Sequence, residues 1–167
     1  MELLPAILVA GIAIAPNKIQ SDNTDKRIQD ALRIMRRVLQ TQKDAPNAMC
    51  RDDLGTIGFR YGKHFPAVRN RDRSGYGLVH VICSAKEDVN KYEGAPAPEQ
   101  VLSIIPEVIL KSGKPRKVHH GRLRLEYNGH IALLTKSGKN PKAPKWLFHA
   151  YKLYPKNSFL PVGGTAP

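Results

Sequence analysis

Two hydrophobic periods divide the chain, a helical one early and a period of two from Arg116 onward. In "SDNTDKRIQDALRIMRRVLQTQ" (21–42), Ile28, Ala31, Leu32, Met35, Val38 and Leu39 recur at i, i+3, i+4 and i+7, which predicts an amphipathic helix. Asp22 or Thr24 can cap it, and Asp25 suits the positive end of its dipole. Arg33, Arg36 and Arg37 fall mostly off the apolar stripe and read as a solvated face. "KDAPNAMCRDDLG" (43–55) has the composition of a linker, "TIGFRYGKHF" (56–65) holds a short strand, and "VRNRDRSGYG" (68–77) is a charged loop. "YGLVHVICSAKEDV" (76–89) mixes strand formers with a Ser-Ala-Lys-Glu-Asp run and is assigned to a helix that starts near Ser74 and Gly77. "APAPEQVLSIIPEVILKSG" (95–113) is a second helical region, with Pro98 in its first turn. Pro106 is expected to kink or split it, and Gly113 to end it.

In "GRLRLEYNGHIALLTK" (121–136) the dipeptide Asn128-Gly129 predicts a two-residue hairpin turn, because a type I′ turn needs two positive φ angles. That turn pairs Tyr127 with His130, Leu125 with Ala132 and Leu123 with Leu134. These six face the helices, and Arg122, Arg124, Glu126, Ile131, Leu133 and Thr135 take the other side. "WLFHAYKLY" (146–154) is a further strand. Strict alternation sets Trp146, Phe148 and Ala150 on one face and Leu147, His149, Tyr151 and Leu153 on the other, with His149 and Tyr151 expected on the open side. The fold class is therefore α+β: N-terminal helices packed on one face of a three- to four-stranded antiparallel sheet.

Charge adds a direction. The 167-residue chain carries a net charge of +13, and residues 111–156 hold twelve Lys and Arg against the single acid Glu126. A basic antiparallel sheet points to nucleic acid more than to membrane, since the same stretch contains no basic amphipathic helix. Cys50 and Cys83 are too few for a disulfide framework. The apolar run from Leu3 to Ala15 is too short to span a membrane and lacks the basic start of a signal peptide. It reads as a packing helix or the stub of a longer parent chain. No metal site is read from the sequence. His119 and His120 point to opposite sides of a strand, and neither cysteine has a histidine at zinc-site spacing.

The open face gathers Arg122, Arg124, Thr135, His149 and Tyr151, residue types suited to metal-free RNA cleavage. RNA brings its own nucleophile, the 2′-hydroxyl. Imidazole moves protons near neutral pH, and the arginine fork holds phosphate. From its local pattern alone, His80, among Val79, Val81 and Ile82, reads as a core histidine.

The ordered set "IGFRYG", "GYGLVHV", "IIPEVILKSG", "RLRLEYNGHIALLTK" and "KWLFHAYKLY" resembles the phage-associated nucleases of the barnase–EndoU–colicin–RelE fold, the PBECR domains, over roughly Leu54 to Lys156. The resemblance implies helices packed on an antiparallel sheet whose open face cleaves RNA without a metal or other cofactor. It makes His80 the leading general acid or base and places a phosphate-handling arginine at Arg122 or Arg124, with Arg124 nearer the centre. It also implies catalytic parts for His149 and Tyr151, and substrate contacts from Arg122, Thr135 and Lys136. His149 stands where such domains usually carry a hydroxyl residue, which leaves the division of labour open. The expected organisation is a helical segment over 1–49 (a delivery remnant or partner-binding module), a ribonuclease-like domain over 50–157 and a flexible tail over 158–167. The expected function is an endoribonuclease toxin acting in the cytoplasm after delivery by phage or a secretion system. Its substrate is RNA such as tRNA, and an immunity protein or antitoxin is its partner. The competing function is a basic module that binds nucleic acid without cutting it.

Overall fold

The computed structural model describes residues 16–69, 71–135, 140 and 143–155, with side chains from residue 23. Lys136, the apolar run Leu3–Ala15 and the tail over 158–167 lie outside the described residues. The first helix, α1, runs Pro16–Thr41, and the predicted stripe is its buried face: Ile28, Ala31, Met35 and Val38 are nearly inaccessible. Among the described residues no helix is long and apolar enough to cross a membrane.

The segment read as a linker is a strand. β1 (Ala45–Arg51) pairs antiparallel with β2 (Gly55–Phe59), matching Met49 to Ile57 and Cys50 to Thr56. Its composition hid it because its burial is confined to Ala48 and Met49, so no run of alternation forms. A short hairpin of β3 (Lys63–Phe65) and β4 (Ser74–Tyr76) follows, and then α2 (Gly77–Val89) and α3 (Pro98–Lys111). α3 is not divided at Pro106. Pro106 is itself buried, beside Ile105, Val108 and Ile109, so apolar burial on the sheet offsets the one backbone bond a proline forfeits.

β5 (Arg116–Lys117), β6 (Leu123–Tyr127), β7 (His130–Leu134) and β8 (Lys145–Lys152) complete a six-stranded sheet in the order β1-β2-β8-β7-β6-β5. The sheet is wider than the three to four strands expected, and it is mixed: β2 lies parallel to β8 through Ile57–Lys145 and Gly58–Trp146. The β6–β7 register is the predicted one, with Asn128 at φ 49° and Gly129 at φ 71° in the turn. The alternation expected for β8 fails at one place. Leu134 pairs with Leu147 while Leu133 pairs with His149, so Phe148 is an extra residue in a bulge. The bulge sends Leu147 into the core with Ala150 and keeps His149 and Tyr151 on the opposite face, beside Leu133 and Ile131.

α1 and α3 pack on the core face, and Ala31, Met35 and Val38 of α1 join Ile105, Ile109, Leu125, Ala132 and Leu147 in one hydrophobic cluster. β2 meets β8 only at its start, so the half of β8 carrying His149 and Tyr151 is left for α2, which packs against it. α2 is launched from the end of β2: the N–H groups of Leu78 and Val79 donate to the carbonyls of Arg60 and Tyr61 at 2.9 Å.

Candidate active site

α2 sets His80, Ser84 and Glu87 on one face at i, i+4 and i+7. β8 presents His149 to the same place, and the β3–β4 hairpin adds His64. The three rings form a row. His64 and His80 have centroids 5.1 Å apart, His80 and His149 4.4 Å, and His149 and Tyr151 5.3 Å. His80, read locally as a core histidine, is buried, with 5 % of its surface exposed.

The hydrogen bonds set the order of the protons once Glu87 is ionised and His64 neutral. His64 Nε2 lies 2.9 Å from Glu87 Oε1, and His64 Nδ1 lies 2.9 Å from His80 Nδ1. Burial pushes the Glu87 carboxyl up, but hydrogen bonds from Arg73 and His64 and the electrostatic pull of these two neighbours outweigh it and hold the group below its ordinary value. An ionised Glu87 only accepts, so His64 Nε2 carries a proton and donates it. In a neutral His64, Nδ1 is then a lone pair and takes the Nδ1–H of His80. His80 Nε2 is left bare, a base with a carboxylate at the far end of its relay. Ser84 Oγ is a weaker neighbour of His80 Nδ1, at 3.5 Å.

His80 and His149 are poor cations. Burial, and then the electrostatic influence of the neighbouring His64 and Arg73, lowers His80 to about 4, with Glu87 the smallest influence and acting the other way. Burial first, then His80, Arg73, His64 and Arg122, lowers His149 to about 3. His149 Nδ1 is buried and has no hydrogen-bond partner among the described residues. Beneath the row, Arg73 Nη1 donates to Asp88 Oδ1 at 2.8 Å, to Glu87 Oε2 at 3.2 Å and to the Ser84 carbonyl at 3.2 Å. Asp88 is buried, so this pair anchors the loop before β4 to α2.

The hairpin can approach His80 because Gly75 faces His64 across it. A Cβ on Gly75, at φ 148°, would stand 2.3 Å from the Lys63 carbonyl oxygen and 2.8 Å from His80 Nδ1. Gly75→Ala is expected to cost about 1–3 kcal/mol of stability through strain and overpacking, and to weaken any activity that depends on the His64–His80 contact. Thermal melts of the two proteins check it, and a variant that melts with the wild type would show that the hairpin yields freely.

Of the residues singled out from sequence, His80, His149 and Tyr151 come together. Arg122 stacks its guanidinium on Phe148, 3.6 Å from the ring centroid, close enough for its charge to act on His149. Arg124 is not brought to the imidazoles: it sits opposite Leu133, which in turn sits opposite His149, and it pairs with Glu126 at 2.8 Å. Thr135 Oγ1 accepts from the Trp146 N–H at 2.9 Å and so continues the β7–β8 ladder past the bulge. Sequence reasoning missed His64, Glu87, Arg73 and Asp88. Glu87 carried a usable signal, its place seven residues after His80 on a predicted helix. His64 carried none, because its partner is sixteen residues away across a hairpin that the charge of "VRNRDRSGYG" concealed.

Among the described residues no group of three or more His, Cys, Asp or Glu side chains is placed to hold a metal ion. No curated protein and no solved structure matches the chain. A family model does: phage-Barnase-EndoU-ColicinE5/D-RelE like nuclease1, over residues 48–157, a span that contains the whole imidazole row.

Proposed function

The chain belongs to the phage-Barnase-EndoU-ColicinE5/D-RelE like nucleases, and from that premise we propose that it is a metal-independent endoribonuclease using the RNA 2′-hydroxyl as nucleophile. The observation that carries this reading is the Glu87–His64–His80 row of 2.9 Å contacts, which with Glu87 ionised and His64 neutral leaves Nε2 bare on a neutral His80. His80 takes the 2′-hydroxyl proton. The 2′-oxygen bonds to phosphorus, the bond from phosphorus to the 5′-oxygen breaks, and the products are a 2′,3′-cyclic phosphate and a 5′-hydroxyl. The growing positive charge on His80 spreads through His64 toward Glu87, and Arg122 supplies charge to the phosphate.

The leaving oxygen needs a proton. His149 is the tempting donor, but an imidazole at about 3 is neutral at pH 7 and holds no proton to spare. Tyr151, whose ring stacks on His149, carries an O–H that can be donated and takes the part of the acid. His149 then positions the phenol and fills the space between it and His80. DNA lacks the nucleophile and resists this chemistry.

The family's phage association and the basic charge support a toxin that acts on cytoplasmic RNA, with structured RNA such as tRNA as substrate and an immunity protein as its natural check. The test is tRNA cleavage in excess EDTA across pH. Cyclic-phosphate ends are expected, with kcat/KM rising as pH increases through about 4, where His80 becomes neutral, and level from there through neutrality. A rate that falls tenfold per unit above pH 5 would put the acid on an imidazolium and remove Tyr151 from that role. Intact RNA throughout would leave the sheet as a nucleic-acid-binding module.

A further inference from the structure

The strands β5 and β6 set two arginines directly opposite each other, Arg116 against Arg124. Like charges at facing positions destabilise an antiparallel pair, and β5 is only two residues long, so the fold gains nothing from them there. The same two residues line a groove of about 710 Å³ between the end of α3 and the sheet edge, together with Lys111, Lys114, Glu126 and Tyr127. Four of these six are cations and one is an acid. Part of the charge is answered within the chain, through Arg124–Glu126 at 2.8 Å and Lys111–Glu107 at 3.6 Å. Lys114 and Arg116 are exposed.

The groove is separate from the imidazole row. From Arg124 to His149 the path crosses β7 at Leu133, two strand spacings or about 10 Å. Arg122 and the rings serve the bond being cut, while Arg116 and Lys114 stand to one side of it. We propose that this groove is a second phosphate subsite, which holds the sugar–phosphate backbone of an RNA strand beyond the scissile bond. The substrate class is thereby narrowed to RNA long enough to lie across the sheet from β8 to β5. The proposal rests on the RNA reading above.

Facing arginines supply a test that misfolding cannot imitate. Arg116→Glu turns a like-charge pair into an opposite-charge pair, so its unfolding midpoint is expected to rise while its affinity for RNA falls. Binding is measured by anisotropy of a labelled single-stranded RNA oligonucleotide in the cleavage-silenced His80→Ala background. Lys114→Ala/Arg116→Ala is expected to make the slope of log K against log salt shallower by about 1.4, two contacts at roughly 0.7 each. In the active protein the same pair is expected to lower kcat/KM about tenfold or more on the oligonucleotide and to leave a dinucleotide substrate unaffected. An unmoved salt slope, or equal losses on both substrates, overturns the subsite. A chain that cuts no RNA yet binds it with this groove-dependent slope sinks the nuclease reading and leaves the groove standing. A chain that cuts RNA with the slope unmoved sinks the groove alone.

Discussion

His80→Ala is expected to lower kcat/KM for RNA cleavage by about a thousandfold, in the middle of the range for a positioned general base. Affinity for RNA should change by about twofold at most, because phosphate contacts rather than an imidazole set it. The size follows from the geometry. His80 is the member of the row whose Nε2 is bare while its Nδ1 is committed to a relay ending in a carboxylate. Glu87→Gln separates that relay from packing. It keeps the shape but no longer offers a full charge to His64, so it should cost less than His80→Ala. It should also move the acid limb of the pH profile, because Glu87 is the group that works to raise His80. A His80→Ala protein that cuts at the wild-type rate would remove the relay from the mechanism. Removing the ring also leaves His64 Nδ1 without its donor, so thermal melts must accompany the kinetics.

Arg73→Ala is expected to be the most damaging stability change in the site, at about 3 kcal/mol. Its guanidinium serves two carboxylates and a backbone carbonyl, and Asp88 is buried, at 5 % side-chain exposure. Deleting the cation leaves that carboxylate in the interior without its partner. The figure sits at the low end for a broken buried pair because Arg73 itself is 27 % exposed, so water answers part of the loss. The double variant Arg73→Ala/Asp88→Asn should recover part of the stability, since it removes the stranded charge. Arg73 is also one of the charges that hold His80 and His149 down. In its absence both rise, and the acid limb of the rate profile moves to higher pH. Denaturant melts of the three proteins decide the matter. A loss under about 0.5 kcal/mol, the size of an ordinary surface change, would show that the pair does not hold the hairpin.

The legible parts of the fold were those encoded locally. The stripe from Ile28 to Leu39 fixed which face of α1 is buried, and Asn128-Gly129 fixed the register of β6 and β7 residue by residue. β1 escaped notice because a strand that buries only Ala48 and Met49 has no period to read. Pro106 does not break α3, because the cost of a proline in an isolated helix is offset where the helix's apolar face is pressed on a sheet. In β8 alternation alone would have sent Leu147 to the side of His149. The bulge at Phe148 reverses this, and it arises from how β7 and β8 meet rather than from any residue type that announces it.

The sequence by itself determined an α+β chain with a basic, strand-rich C-terminal third, and it nominated His80, His149 and Tyr151 through ordered motifs and residue chemistry. Only the tertiary structure decided what surrounds them. It drew in His64 from the end of a segment that reads as a short strand and Arg73 from one that reads as charged loop, set Glu87 at the end of a relay, and moved Arg124 out of the imidazole row into a groove with Arg116. The reason is physical. Periodicity reports which face of an element is buried, because burial follows spacing along one helix or strand. A proton relay or a phosphate groove is made by elements distant in sequence, and its protonation states are set by desolvation and neighbouring charge, which exist only once the chain has packed.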